Sequence, residues 1–166
     1  MTTEATVRSF FSSPQFAVVG ASSNPAKFGH KVLAWYTYHD LPVTPVNPST
    51  PTISAAGTTH TTVPSLSALK DPKSTSVSII TPPPVTLEVL KEAQKLGVPA
   101  VWLQPGTWDD AVLAFARGKE GAGGGGEEGV RYQGQVVAGD DAGSRGHGGW
   151  CVLVDGEAGL KAVGKL

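Results

Sequence analysis

Short apolar runs alternate with stretches of helical spacing along the first two thirds of the chain. Phe16-Ala17-Val18-Val19 is an unbroken apolar run that stops at Gly20, the pattern of a buried strand. Pro42–Val46, short and flanked by proline, Ser76–Ile80 and Pro99–Leu103 predict three further strands. Between these runs lie segments with helical apolar spacing. They are His30–Tyr38, with Val32, Leu33, Trp35 and Tyr36 inward, Val85–Leu96, stopped by Gly97, and Asp109–Ala116. Such alternation predicts a parallel sheet covered on both faces. Right-handed crossovers then make it a doubly wound, Rossmann-like α/β fold. Trp150–Val154 predicts a later strand, with a helix over Glu157–Leu166 behind it.

The pattern breaks between Gly118 and Gly149, where glycine is concentrated and Gly123–Gly126 stand in a row. This composition predicts a mobile surface loop inserted in a single domain of residues 1–166. Val130–Val137 alternates weakly inside it and predicts one more strand.

At 166 residues and 17.1 kDa the chain is long enough for one real core. A net charge of −1 with scattered basic residues argues against a nucleic-acid or acidic-membrane partner. No apolar run approaches the roughly 20 residues that span a bilayer. The start of the chain has no apolar signal region. Cys151 is the single cysteine, which suits a reducing compartment. The expected location is the cytoplasm, with a mitochondrial one left open by Ser, Thr and Arg8 near the start.

In a doubly wound sheet, ligands bind beyond the carboxyl ends of the strands. The loop after the first strand is Gly20-Ala21-Ser22-Ser23-Asn24-Pro25-Ala26-Lys27-Phe28-Gly29. Gly20 permits a sharp turn, and small Ala21, Ser22 and Ser23 admit a ligand to the backbone. Lys27 adds positive charge, and the helix opening near Gly29 points free N–H groups at an anion. The loop therefore reads as a pyrophosphate cradle, with a ligand-free strand-to-helix turn as the alternative. Asn24 and Phe28 belong with its candidate cofactor contacts. It is not the dinucleotide fingerprint G-x-G-x-x-G, since Ser22 and Pro25 replace the second and third glycines. The second strand ends Val46-Asn47-Pro48, without the acidic residue of NAD sites or an adjacent arginine. Ordinary NAD(P) binding is disfavoured.

Val18-Val19-Gly20-Ala21-Ser22, Pro25-x-Lys27-x-Gly29, Pro45-Val46-Asn47-Pro48 and Val101-Trp102-Leu103-Gln104-Pro105-Gly106, in this order, resemble the CoA-binding domain family. That family is similar in fold to the nucleotide-binding domain of succinyl-CoA synthetase alpha subunits. The resemblance covers about residues 10–117. It implies a cofactor, coenzyme A or an acyl-CoA, with Gly20, Ala21, Ser22, Lys27 and Gly29 at its phosphates. It implies Asn47 and Pro48 beside the adenosine, and further ligand-side loops at Thr81-Pro82-Pro83-Pro84 and Gln104-Pro105-Gly106. The triple proline departs from many relatives. Pro82 and Pro83 lack N–H donors, so they form a stiff wall or simply start the next helix. Asn47 caps a turn or meets an adenine edge, and Gln104 orients a loop or touches ligand. Both pairs of readings stay open.

Catalytic groups are scarce. Cys151 lies in an apolar run, where a free cysteine is usually a buried hydrophobe. His30, His39, His60 and His147 show no metal-ligand spacing, although His30 stands beside the phosphate loop. Asp109-Asp110 open a helix, where carboxylates meet its dipole favourably. No P-loop, nucleophile elbow or H-E-x-x-H is present. The reading is a cofactor-binding module without evident catalytic machinery. Its rivals are an NAD(P)- or nucleotide-dependent enzyme, a partner-binding protein with a vestigial pocket, and a ligase-like fragment. Trp35 and Tyr36 mark a candidate surface for a homo-oligomer.

Overall fold

The computed structural model describes residues 2–118, 131–138 and 150–166. Five parallel strands form the sheet: β1 (Gln15–Val19), β2 (Val43–Val46), β5 (Thr75–Ile79), β6 (Ala100–Leu103) and β7 (Gln135–Val137). Their order is β2-β1-β5-β6-β7, the doubly wound α/β arrangement that the sequence predicts. Helices α1 (Glu4–Phe11), α2 (Phe28–Tyr38), α3 (Pro83–Leu96), α4 (Asp110–Arg117) and α5 (Val152–Ala162) cover it. A separate antiparallel hairpin, β3 (Thr52–Ala55) and β4 (Thr58–Thr61), follows β2.

The period-2 geometry of strands divides each one between two cores. Phe16 and Val18 of β1, with Ala100 and Trp102 of β6, pack with Phe10, Leu33, Tyr36 and Leu160 from α1, α2 and α5. Ala17 and Val19, with Val77, Ile79, Val101 and Leu103, pack with Leu90, Ala93, Val112 and Ala116 from α3 and α4. Fully burying each large apolar side chain contributes roughly 1.5–3 kcal/mol. Two serines, Ser76 and Ser78, occupy the first face of β5, and both are buried. Their hydroxyls are satisfied: Ser76 Oγ donates to the Phe10 carbonyl at 2.8 Å, and Ser78 Oγ lies 2.7 Å from the Tyr36 hydroxyl. Burial drives the Tyr36 phenol far above its ordinary pKa, so it stays neutral as a strand–helix bridge.

The predicted strand at Trp150–Val154 is not a strand. Val152–Val154 form the first turn of α5, and β7 supplies the fifth strand. The Cys151 N–H donates to the Asp155 carboxylate at 3.0 Å, and Trp102 Nε1–H donates to the Trp150 carbonyl at 3.1 Å. These bonds fix the turn into α5. Gly156 and Gly159 let α5 lie directly on Trp35 and Phe11, where a Cβ would come within 2.4 and 2.5 Å of the rings. Packing thus overrides both the strand-like run and the low helix propensity of glycine. The predicted strand over Val130–Val137 narrows to β7. The predicted loop over Gly118–Gly149 otherwise falls outside the described residues, apart from Gly118 and 131–138. Among the described residues no helix is long and apolar enough to cross a membrane.

Candidate functional site

The strand order places β2 on one side of β1 and β5 on the other, so a crevice opens above their carboxyl ends. Gly20 leaves β1 with φ of 88°, and a Cβ there would stand 2.3 Å from the Ile80 carbonyl oxygen. Only glycine fits this exit. Gly29 closes the other end of the loop: a Cβ would come within 1.9 Å of the Gly20 carbonyl oxygen. The loop is therefore a narrow-necked backbone ring.

Its interior is organised by its own polar groups. Ser22 Oγ accepts from the Asn24 N–H at 3.1 Å, Asn24 Oδ1 accepts from the Ala26 N–H at 3.0 Å, and the Asn24 carbonyl accepts from the Lys27 N–H at 3.0 Å. His30 Nδ1–H donates to the Ser22 carbonyl at 3.0 Å. Lys27 caps α2 without any side-chain cap bond, and the N–H groups of Phe28 and Gly29 have no acceptor among the described residues. These orphan donors and the helix dipole face an anion favourably. Phe28 is 59% exposed at this helix start, with Lys31 Nζ 5.1 Å from its ring centroid.

Two cavities adjoin at the crevice and share Gly20, Ala21 and Asn47. One, of about 450 Å³, is lined by the loop, including Ser22, Lys27, Phe28 and Gly29, with Ile80 at its floor. The other, of about 230 Å³, lies between the turn after β2 and helix α3, with Val46, Pro48, Leu66, Thr81, Val85 and Val89 around it. Asn47 joins them. Its Nδ2 donates to the Ala21 carbonyl at 3.0 Å, and its Oδ1 accepts from the N–H groups of Ser49 and Thr50. The side chain thus caps the turn after β2 and pins it to the Gly20–Gly29 loop.

Nine of the sequence-predicted residues line one cavity or both: Gly20, Ala21, Ser22, Lys27, Phe28, Gly29, Asn47, Pro48 and Thr81. Asn24 serves the loop from within. Pro82 and Pro83 are the N-cap and first residue of α3, the rigid helix start that proline favours. Gln104 is buried and turned to its own chain: Oε1 accepts from the Val152 N–H at 3.0 Å and Nε2 reaches Cys151 Sγ at 3.5 Å. It ties β6 to α5. Gly106 makes an exposed turn with φ of 88° and lines neither cavity. Sequence reasoning missed Val85, Val89 and Glu92, which fall at i, i+4 and i+7 on one face of α3 and line the smaller cavity. It also missed Pro64, Ser65 and Leu66 opposite them. Among the described residues no group of three metal-ligating side chains converges.

Residues 14–131 match the model of a family described as a CoA binding domain. No curated protein matches the chain. Several solved structures resemble it. A hypothetical protein from Pyrococcus horikoshii OT3 is 28% identical with a TM-score of 0.57, over 64% of this chain and 72% of that one. A conserved hypothetical protein from Pyrococcus furiosus is 34% identical with a TM-score of 0.53, over 61% and 83%. A Thermus thermophilus protein is 29% identical with a TM-score of 0.54, over 63% and 77%.

Proposed function

This chain belongs to the CoA-binding domain family, and from that premise we propose that it binds coenzyme A or an acyl-CoA across the two adjoining cavities, holding the cofactor without transforming it. The observation that supports this reading most is the pairing of unlike cavities around a shared edge. The larger offers the unpaired amides of Phe28 and Gly29 together with Lys27, a setting for a diphosphate. The smaller has walls of valine, proline and leucine, a setting for a flat base. In this reading the base lies against Pro48 and α3, and the diphosphate crosses Gly20 and Ala21. The pantetheine arm leaves past Phe28.

A thermal-shift panel of the full chain with CoA, acetyl-CoA, NAD, NADP and ADP tests this. Ligand at about 100 times its dissociation constant stabilises by roughly 2.7 kcal/mol. For a chain of this size that corresponds to about 5–11 °C. A shift with CoA or acetyl-CoA is expected. A response to NAD alone would turn the reading to a dinucleotide enzyme, and no response to any ligand would leave a partner-binding role.

A further inference from the structure

Glu92 is the one acidic residue lining the smaller cavity. Its Oε1 accepts from the Ser67 N–H at 2.7 Å. Its second oxygen makes no hydrogen bond, and its carboxylate no ion pair, among the described residues. Glu92 is partly exposed and lines this largely apolar cavity, and a carboxylate oxygen without a partner gains from a ligand that brings a hydrogen-bond donor. Glu92 is held in place on both sides: its backbone belongs to α3, and the Ser67 N–H fixes one oxygen.

We propose that Glu92 is a specificity-determining residue that accepts a hydrogen bond from the exocyclic amino group of an adenine seated in this cavity. The proposal rests on the reading that a CoA-type ligand places its base there. The engaged Oε1 leaves a single acceptor, which matches the single amino group of adenine. Guanine presents an N1–H and an amino group side by side and would best use both oxygens of a carboxylate. Hypoxanthine, seated in the same pose, would set its O6 against that oxygen and could offer its N1–H only by shifting in the cavity.

The Ser67 N–H also dictates what a glutamine does here. In Glu92→Gln the amide oxygen must take the Ser67 N–H, so the amide nitrogen faces the base. A donor then stands where the acceptor was. That variant should prefer the wrong base.

The test is isothermal titration of the full chain, at one fixed salt concentration, with CoA and with its analogue carrying hypoxanthine in place of adenine. The natural sequence should bind CoA roughly ten- to hundredfold tighter than the analogue, the usual range for a hydrogen bond to a charged group. E92Q should reverse the preference with the ligand-free melting temperature unchanged. E92A should bind both ligands with similar affinity. Equal affinities in the natural sequence, or the same preference kept in E92Q and E92A, would overturn the role of Glu92 while leaving CoA binding intact. If neither ligand binds the natural sequence, the CoA reading itself falls, and this inference falls with it.

Discussion

At Gly29 a methyl group would fall 1.9 Å from the backbone oxygen of Gly20, and neither partner is a flexible side-chain end. Gly29→Ala must therefore open the neck of the loop, at a cost of about 1–3 kcal/mol, and should abolish the CoA-dependent thermal shift. Lys27 behaves differently. It is exposed and makes no side-chain cap bond, so Lys27→Ala should leave the melting temperature of the free chain unchanged while weakening CoA binding. Unchanged affinity in a titration would remove Lys27 from the phosphate site. The buried Tyr36–Ser78 pair makes a third case. Tyr36→Phe or Ser78→Ala strands one buried hydroxyl and should each cost about 1–3 kcal/mol. The double variant should cost less than the sum, which denaturant unfolding would show.

Between elements, the hairpin of β3 and β4 is docked on α2 by a hydrogen bond at 2.9 Å between His60 Nε2 and Thr37 Oγ1. Thr37 gives its own proton to the Leu33 carbonyl, so the imidazole is the donor. Partial burial lowers the His60 pKa below its ordinary 6.5. The unfolded chain therefore binds more protons than the native one as pH falls through this range, and native stability declines with it. Melting curves from pH 8 to pH 5.5 should show that decline. His60→Gln, which keeps a donor, should flatten part of it. The same scale explains what was legible in advance. Strands β1 and β6 are buried on both faces, so Phe16–Val19 and Ala100–Leu103 are continuous apolar runs, whereas β2 and β5 read as strands despite Thr44, Ser76 and Ser78. Helix α5 was legible only in its second half, through the helix predicted over Glu157–Leu166; its start was missed, because Val152-Leu153-Val154 reads as a strand and Gly156 and Gly159 weaken the helical signal. Their reason is contact with Trp35 and Phe11, which only the fold brings near. The hairpin escaped too, since its turn is Ala56-Gly57, both at positive φ, in place of the usual Asn-Gly.

For the molecule as a whole, the sheet order sets both adjoining cavities at the carboxyl ends of β1 and β2. Hydrogen exchange should report this: CoA should slow exchange across residues 20–29 and 47–50 and leave β7 and α5 unchanged. Uniform slowing, or none at the first loop, would contradict binding at those strand ends. The Gly20–Gly29 loop could be read from sequence because its glycines, serine and lysine fall within one short stretch. The far wall of the smaller cavity could not, because Pro64–Leu66 and the Val85–Glu92 face of α3 converge only when the chain folds.

The donors that the first loop offers are peptide N–H groups, which nearly every amino acid carries. Swapping a single side chain there, short of introducing a proline, cannot delete one of them or change its polarity. If the loop holds a diphosphate as proposed, the share of that grip that comes from backbone donors would survive most drift in the loop, so long as Gly20 and Gly29 endure. Any change in which nucleotide is held would have to arise elsewhere, on the surfaces that meet the base.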